Sequence, residues 1–317
     1  MEMLRQRVPL WSPSAETAAA RIDRATAGAV RVLTAGDTSA LHRLLARDPV
    51  SNVSVATTLA SRASAGPGRG RNGAVFLGID AEPPSEPSAQ DDAERSGELA
   101  AACWVGSNIN PIGADANEAE LFGQAIGVMR RRVSSIYGPS EAALGLFEAA
   151  GWQNCRDVRP DQPLLSISTE PPVEPLPDVR LAQPEEFVEV EPACAAMFTE
   201  ELGFSPYAQG AAQYRERIRS LITSGHSLIL TDSAGQVIFK AEYGSVTDDV
   251  VQIQGVWVHP AHRGRGLAVP GMAAVVNHAL TLAPTVSLYV NGYNTAALRV
   301  YERVGFQRVG TFATVLF

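Results

Sequence analysis

Residues 256–268 read Val-Trp-Val-His-Pro-Ala-His-Arg-Gly-Arg-Gly-Leu-Ala. A β-branched run ends, a turn carrying two glycines follows, and an apolar helical pattern starts at once. A helix start presents backbone N–H groups with no intrahelical acceptor, and the macrodipole adds positive potential there. Gly264 and Gly266 leave room for a ligand to approach the backbone, while Arg263 and Arg265 add charge-assisted donors. Together these features point to an anion site, most naturally for phosphate or pyrophosphate, with the dipole contributing about 0.3–1 kcal/mol. The stretch matches neither of two common phosphate loops. It lacks G-x-x-x-x-G-K-[ST], and the strand before it belongs to a hairpin instead of opening a dinucleotide-binding βαβ unit.

Outward from this turn, the C-terminal part alternates elements. Val179–Leu181 is a short strand, Glu185–Glu201 and Gln213–Thr223 are helices, and Ser227–Thr231 is a strand. Gln236–Val246 and Val250–Val258 form a hairpin closed at Asp248-Asp249. A helix over Leu267–Leu280 follows, then a strand over Val286–Val290, a helix capped by Asn294 and running to Val304, and a last strand over Phe306–Phe317. The class is mixed α/β (α+β), each domain a largely antiparallel sheet flanked by helices.

Upstream, residues 169–178 (TEPPVEPLPD) form a Pro-rich linker. It separates a domain at 29–168 from one at 179–317, with 1–28 as an N-terminal extension. Residues 81–97 are polar and Pro/Ser-rich and are expected to be a disordered loop; 64–73 is a second loop. In the first domain a strand is expected at Val30–Leu33, a helix near Ser39–Ala46, strands near Val75–Ile79 and Leu99–Gly106, and a helix around Ala119–Arg131.

Residues 140–152 echo 294–306 position by position: Ala143 answers Ala297, Phe147 answers Tyr301, Gly151 answers Gly305 and Trp152 answers Phe306. The first domain nevertheless lacks the glycine turn. At the corresponding place stands Asn110-Pro111-Ile112-Gly113-Ala114-Asp115, with an acid where phosphate would sit.

Two motifs carry a resemblance. Arg263-x-x-Gly266-x-Ala268 after Val-x-Val-x-Pro resembles the pyrophosphate loop of the GNAT superfamily of acyl-CoA-dependent N-acetyltransferases. Downstream, Asn294-x-x-Ala297-x-x-x-Tyr301-x-x-x-Gly305-Phe306 resembles that family's second signature. The segment LYVNGYNTAALRVYERVGF is similar to the mycothiol synthase branch, whose members carry two GNAT folds in tandem.

The resemblance implies two GNAT-like domains, a catalytic C-terminal one and a degenerate N-terminal one. Val256, Trp257 and Val258 would line the pantetheine arm, and Arg263, Gly264, Arg265, Gly266, Leu267 and Ala268 would hold the pyrophosphate of acetyl-CoA. Tyr301 would protonate the leaving thiolate. Asn294 would touch the coenzyme or simply cap its helix. Glu242 is the nearest carboxylate for a base, or else a solvated edge residue. Glu200 and Glu201 could hold a cationic amine or lie in solvent, and Phe204 could wall the acceptor site. The implied reaction is acetyl transfer to a primary amine, of a small molecule or a protein, by direct attack in a ternary complex. The alternative is a non-catalytic acyl-CoA-binding regulator.

Composition bounds these readings. The 317 residues suit two domains, and 45% hydrophobic with 19% charged residues suits a packed soluble chain. A net charge of −8 disfavours nucleic acid and anionic membrane as partners. No apolar run reaches the roughly 18 residues of a membrane span, and no secretory leader is expected. Cys103, Cys155 and Cys194 are odd in number and far apart, which gives neither a disulfide framework nor a metal site and points to the cytoplasm. Lys240 is the chain's single lysine against 25 arginines, which reads as codon bias.

Overall fold

The computed structural model describes residues 17–68, 73–81, 97–129 and 131–317. The loop expected at 81–97, apart from its ends, lies outside the described residues, as do residues 1–16 of the extension and Arg69–Asn72 of the second loop. Among the described residues, no helix is long and apolar enough to cross a membrane.

The N-terminal half contains α1 (Ala18–Ala25), β1 (Arg31–Val32), α2 (Thr38–Leu45), α3 (Pro49–Arg62), β2 (Val75–Asp80), β3 (Leu99–Val105), β4 (Asn108–Ile112), α4 (Ala116–Gly127), β5 (Ser135–Pro139), α5 (Ser140–Ala149) and β6 (Asp157–Ile167). The C-terminal half continues with β7 (Arg180–Leu181), α6 (Phe187–Leu202), α7 (Ala211–Thr223), β8 (Ser227–Thr231), β9 (Val237–Val246), β10 (Val250–Val258), α8 (Ala268–Leu280), β11 (Thr285–Tyr289), α9 (Thr295–Val304) and β12 (Gln307–Leu316).

The twelve strands of the described residues join in one sheet of order β1-β2-β3-β4-β5-β12-β6-β11-β10-β9-β8-β7. Pairing is antiparallel except at β4–β5 and β10–β11. The two halves repeat one pattern, each placing a helix between its parallel strands: α4 after β4, and α8 after β10.

Each half is completed by the other's last strand. β6 pairs with β11 from Val286↔Ile167 to Tyr289↔Leu164, and β12 pairs with both β5 and β6. The cores record the same exchange. Leu165 and Ile167 of β6 pack with β9, β10 and α8 residues, whereas Ala313 and Val315 of β12 pack with β3, α4 and α5. Without the partner strand, β11 would expose a long apolar edge. The Pro-rich segment 169–178 therefore divides the sequence, while the sheet runs across it.

Phe312, 2% exposed on β12, sits at this seam against Tyr289 at 5.3 Å between ring centroids. Phe312→Ala is expected to destabilise by about 3–5 kcal/mol, the cost of deleting a buried aromatic and leaving a cavity. Because the strand belongs to both sheets, urea unfolding followed by near- and far-UV circular dichroism should show both halves weakening together.

Candidate functional site

Parallel pairing of β10 with β11 runs from Val250↔Thr285 to Gln252↔Ser287 and stops there. Past that point the strands part, β10 remaining on β9 and β11 on β6. A cleft of about 720 Å³ opens between them, lined by Ile253 to Val258 on one side and Leu288 to Asn291 on the other. It collects most of the residues marked in the sequence: Tyr301, Val256, Trp257, Val258, Arg263, Gly264, Gly266, Leu267, Ala268, Asn294, Glu200 and Glu201. Glu242, Arg265 and Phe204 are not among its lining residues.

The turn at the cleft mouth has the geometry its glycines suggest. Gly264 and Gly266 have φ of 73° and 79°, and a Cβ added at either would meet nothing within 4 Å. Such backbone favours glycine, and the space beside it is open. α8 follows with no side-chain cap at its N-terminus, so its first N–H groups lack a side-chain partner. Pro270, within the first turn, has no N–H to offer. His259 is structural, its Nδ1 accepting from Ala261 N at 3.2 Å. The Arg263 guanidinium donates to Val258 O at 3.0 Å and to Glu200 at 2.6 Å.

Glu200 is exposed but engaged: besides Arg263 it accepts from Trp257 Nε1 at 3.1 Å, bracketing the end of β10. Glu201 keeps an exposed carboxylate on the cleft wall, 3.7 Å from Arg159. Phe204 packs edge-on to Phe198 at 5.5 Å, beneath the Arg156 guanidinium at 4.5 Å, and so does not wall the cleft. Arg265 is exposed.

Tyr301 is 7% exposed, reaches the cleft from α9, and packs edge-on to Phe306 at 5.9 Å. Burial, reinforced by the Glu201 carboxylate, pushes its phenol above the usual range. Asn294 caps α9, its Oδ1 accepting from Ala297 N at 3.2 Å, while also lining the cleft.

Glu242 requires a correction. Read as a free base or a solvated edge residue, it is 3% exposed on a central strand, in an ion pair with Lys240 at 2.6 Å. Burial opposes its charge, but Lys240 outweighs burial and holds the carboxyl below its ordinary range. Burial likewise opposes the charge on Lys240, and Glu242 holds it above its own. Cys194 donates to Glu242 at 3.2 Å. Its thiol is pushed up to about 12, chiefly by burial, so no thiolate nucleophile forms there at neutral pH.

The cleft is also lined by residues not marked as functional in the sequence, Met197, Tyr289 and Gln162 among them. Gln162 comes from the exchanged strand β6, is 3% exposed, donates to Asn291 Oδ1 at 2.9 Å and accepts from Thr314 at 2.6 Å. The N-terminal half thus supplies part of the wall. Nothing in the sequence flagged it, since β6 was not read as a strand.

The matching place in the N-terminal half is closed. β4 and β5 pair only at Asn108↔Ser135 and Ile109↔Ile136. Beyond that, Asn110 Nδ2 bridges to Tyr137 O at 2.9 Å, and Pro111 fills the space beside Gly138. At the start of α4, Asp115 accepts from Glu118 N at 2.8 Å and Glu118 accepts from Asp115 N at 2.9 Å. This capping box occupies the helix terminus that α8 leaves without a side-chain cap. Among the described residues, no three His, Cys, Asp or Glu side chains gather as a metal site.

Residues 194–306 match the acetyltransferase (GNAT) family, and residues 92–190 match a domain of unknown function, DUF4081. Mycothiol acetyltransferase from Gordonia bronchialis is 37% identical over 103 residues, which are 31% of this chain and 33% of that protein. The chain thus aligns with about a third of that relative's length. A GCN5-related N-acetyltransferase from Sphaerobacter thermophilus has the same fold, with a TM-score of 0.57 at 18% identity, over 90% of this chain and 94% of that one. A Drosophila protein has a TM-score of 0.59 at 14% identity, over 91% and 98% of the two chains. Residues 194–306 thus match the GNAT acetyltransferase family and carry its two motifs, and the sheet repeats one GNAT-like fold in tandem.

Proposed function

We propose that the chain transfers an acetyl group from acetyl-CoA to a primary amine by direct attack within a ternary complex. The observation that carries this reading is one continuous cleft joining three things: a glycine turn at a helix start without a side-chain cap, a strand edge freed by the β10–β11 parting, and the Tyr301 phenol. Pyrophosphate would take the N–H groups of the turn and of α8. The pantetheine arm would lie along Val256–Val258. The amine nitrogen attacks the thioester carbon, and the tetrahedral oxyanion collapses with cleavage of the C–S bond. The expelled thiolate receives the Tyr301 proton, and the proton that the amine nitrogen sheds passes through solvent to restore the phenol. Glu201, the carboxylate of the pair not committed to Arg263, would draw the cationic acceptor toward the seam between the halves. The acceptor is a small-molecule or protein amine, and no metal is used.

The Glu242–Lys240 pair favours one rival reading, because it removes a carboxylate from service as a base: a non-catalytic acyl-CoA-binding protein. An acetyl-CoA consumption screen over a library of primary amines separates the two. The enzyme reading expects at least one amine consumed well above the buffer rate. Tight acetyl-CoA binding with no turnover over the whole library would support the regulator.

A further inference from the structure

The single lysine of the chain is completely buried beneath the cleft floor. Its ammonium donates to Glu242 at 2.6 Å and to the Gly255 carbonyl at 3.0 Å. Gly255 lies in a β-bulge: the β9–β10 register slips between Gln254 and Trp257, and its φ is +60°. A Cβ on Gly255 would come within 3.1 Å of Glu242 Oε2 and 3.2 Å of Met197 Cε, so the bulge rests directly on the ion pair. Bulges of this kind re-aim backbone groups beside functional sites.

The direction of that re-aiming follows from peptide geometry. Lys240 and Glu242, two apart on β9, share one face of the sheet. That face is covered by α6, whose Cys194 bonds Glu242. Phe239, Ala241 and Tyr243 point to the other face and pack in one core with α8 and Tyr301. Among the described residues no peptide bond is cis. In a planar trans peptide, the N–H of Val256 therefore points opposite to the Gly255 carbonyl. With the carbonyl drawn to Lys240 on the α6 side, the Val256 N–H is turned toward the side that carries Tyr301, in the cleft that Val256 lines.

A buried ion pair adds little net stability over apolar side chains of the same volume. A fixed donor on one carbonyl is what this pair adds. Resting on the acetyl-transfer reading above, we propose that Lys240 is a positioning residue: by holding the Gly255 carbonyl, it aims the Val256 N–H at the thioester oxygen, where negative charge develops as the amine attacks. A preorganised backbone donor of this type changes rates by about 10²–10³.

The test uses the full chain with [1-13C]acetyl-CoA and no acceptor. A hydrogen bond to the thioester oxygen polarises the carbonyl, so the bound 13C resonance should lie downfield of free acetyl-CoA. In Lys240→Met/Glu242→Gln, which removes the donor and leaves no unpaired charge, the resonance should return toward the free value. CoA affinity should stay within about threefold, and turnover of an amine found in the library screen should fall about 10²-fold. Glu242→Gln alone leaves the amine on Gly255 and should keep the downfield resonance. Should the first double variant not fold, Lys240→Leu/Glu242→Leu makes the same comparison with an apolar pair. An unchanged 13C shift in a folded lysine variant overturns the proposal, as does its full loss in Glu242→Gln. If wild-type protein binds no acetyl-CoA at all, the acetyl-transfer reading falls and this inference with it.

Discussion

Tyr301→Phe is expected to lower acetyl transfer by about 10²–10⁴-fold while CoA affinity stays at the wild-type level. The substitution keeps the ring packed against Phe306 and removes only the phenol oxygen. Its pH dependence follows from the direction of the shift. Burial raises the phenol above its ordinary range, so the acid form is fully present at neutral pH and is lost only as pH climbs through the raised value. Turnover should therefore rise as the acceptor amine loses its proton and show no falling limb below pH ~10, the ordinary phenol value. Rapid-quench measurement of a single turnover isolates the chemical step. A Phe variant with wild-type chemistry would remove Tyr301 from the mechanism and leave it as a core residue.

For Gly266→Val, the expected loss is in binding. The φ of 79° at this position is one that β-branched residues avoid, and the open space beside it is where phosphate oxygens would approach. Two contributions are removed together. The helix-terminus attraction contributes up to about 2 kcal/mol, and each charge-assisted hydrogen bond about 1.5–3 kcal/mol. Losing more than about 3 kcal/mol corresponds to at least a 100-fold weaker Kd. The turn is exposed, so the fold should survive. Calorimetric titration with CoA against wild type and variant measures the difference; equal affinities would put the anion site elsewhere.

Most of the C-terminal half was legible because its elements are amphipathic and punctuated. β8 at Ser227–Thr231 and β10 at Val250–Val258 fall where alternation and turn residues placed them, and Asn294 caps α9 as its position suggested. The glycine turn at the cleft mouth was legible for a related reason: it is written in consecutive residues. The rest of the cleft was not, because it depends on side-chain partners that no local pattern announces. Glu242 looked available only because its partner Lys240, two residues away, was taken for a trace of codon usage. Glu200 looked like a charged helix end, yet it reaches 63 positions along the chain to Arg263. Gln162 sits on a strand whose exposed first half and buried second half carry no clean period. The strand exchange itself left no local signal, since β6 and β12 are specified by edges that exist only in the folded sheet.

The central claim is that one of two repeated folds has kept a working acyl-CoA site. The N-terminal copy has its strand parting bridged by Asn110 and its helix start filled by Asp115 and Glu118, whereas the C-terminal copy leaves both open. Equilibrium dialysis of the full chain against radiolabelled acetyl-CoA counts the sites directly. The account expects one acetyl-CoA per chain, displaced by CoA and lost in Gly266→Val. Two per chain, or one that survives intact in Gly266→Val, would contradict it.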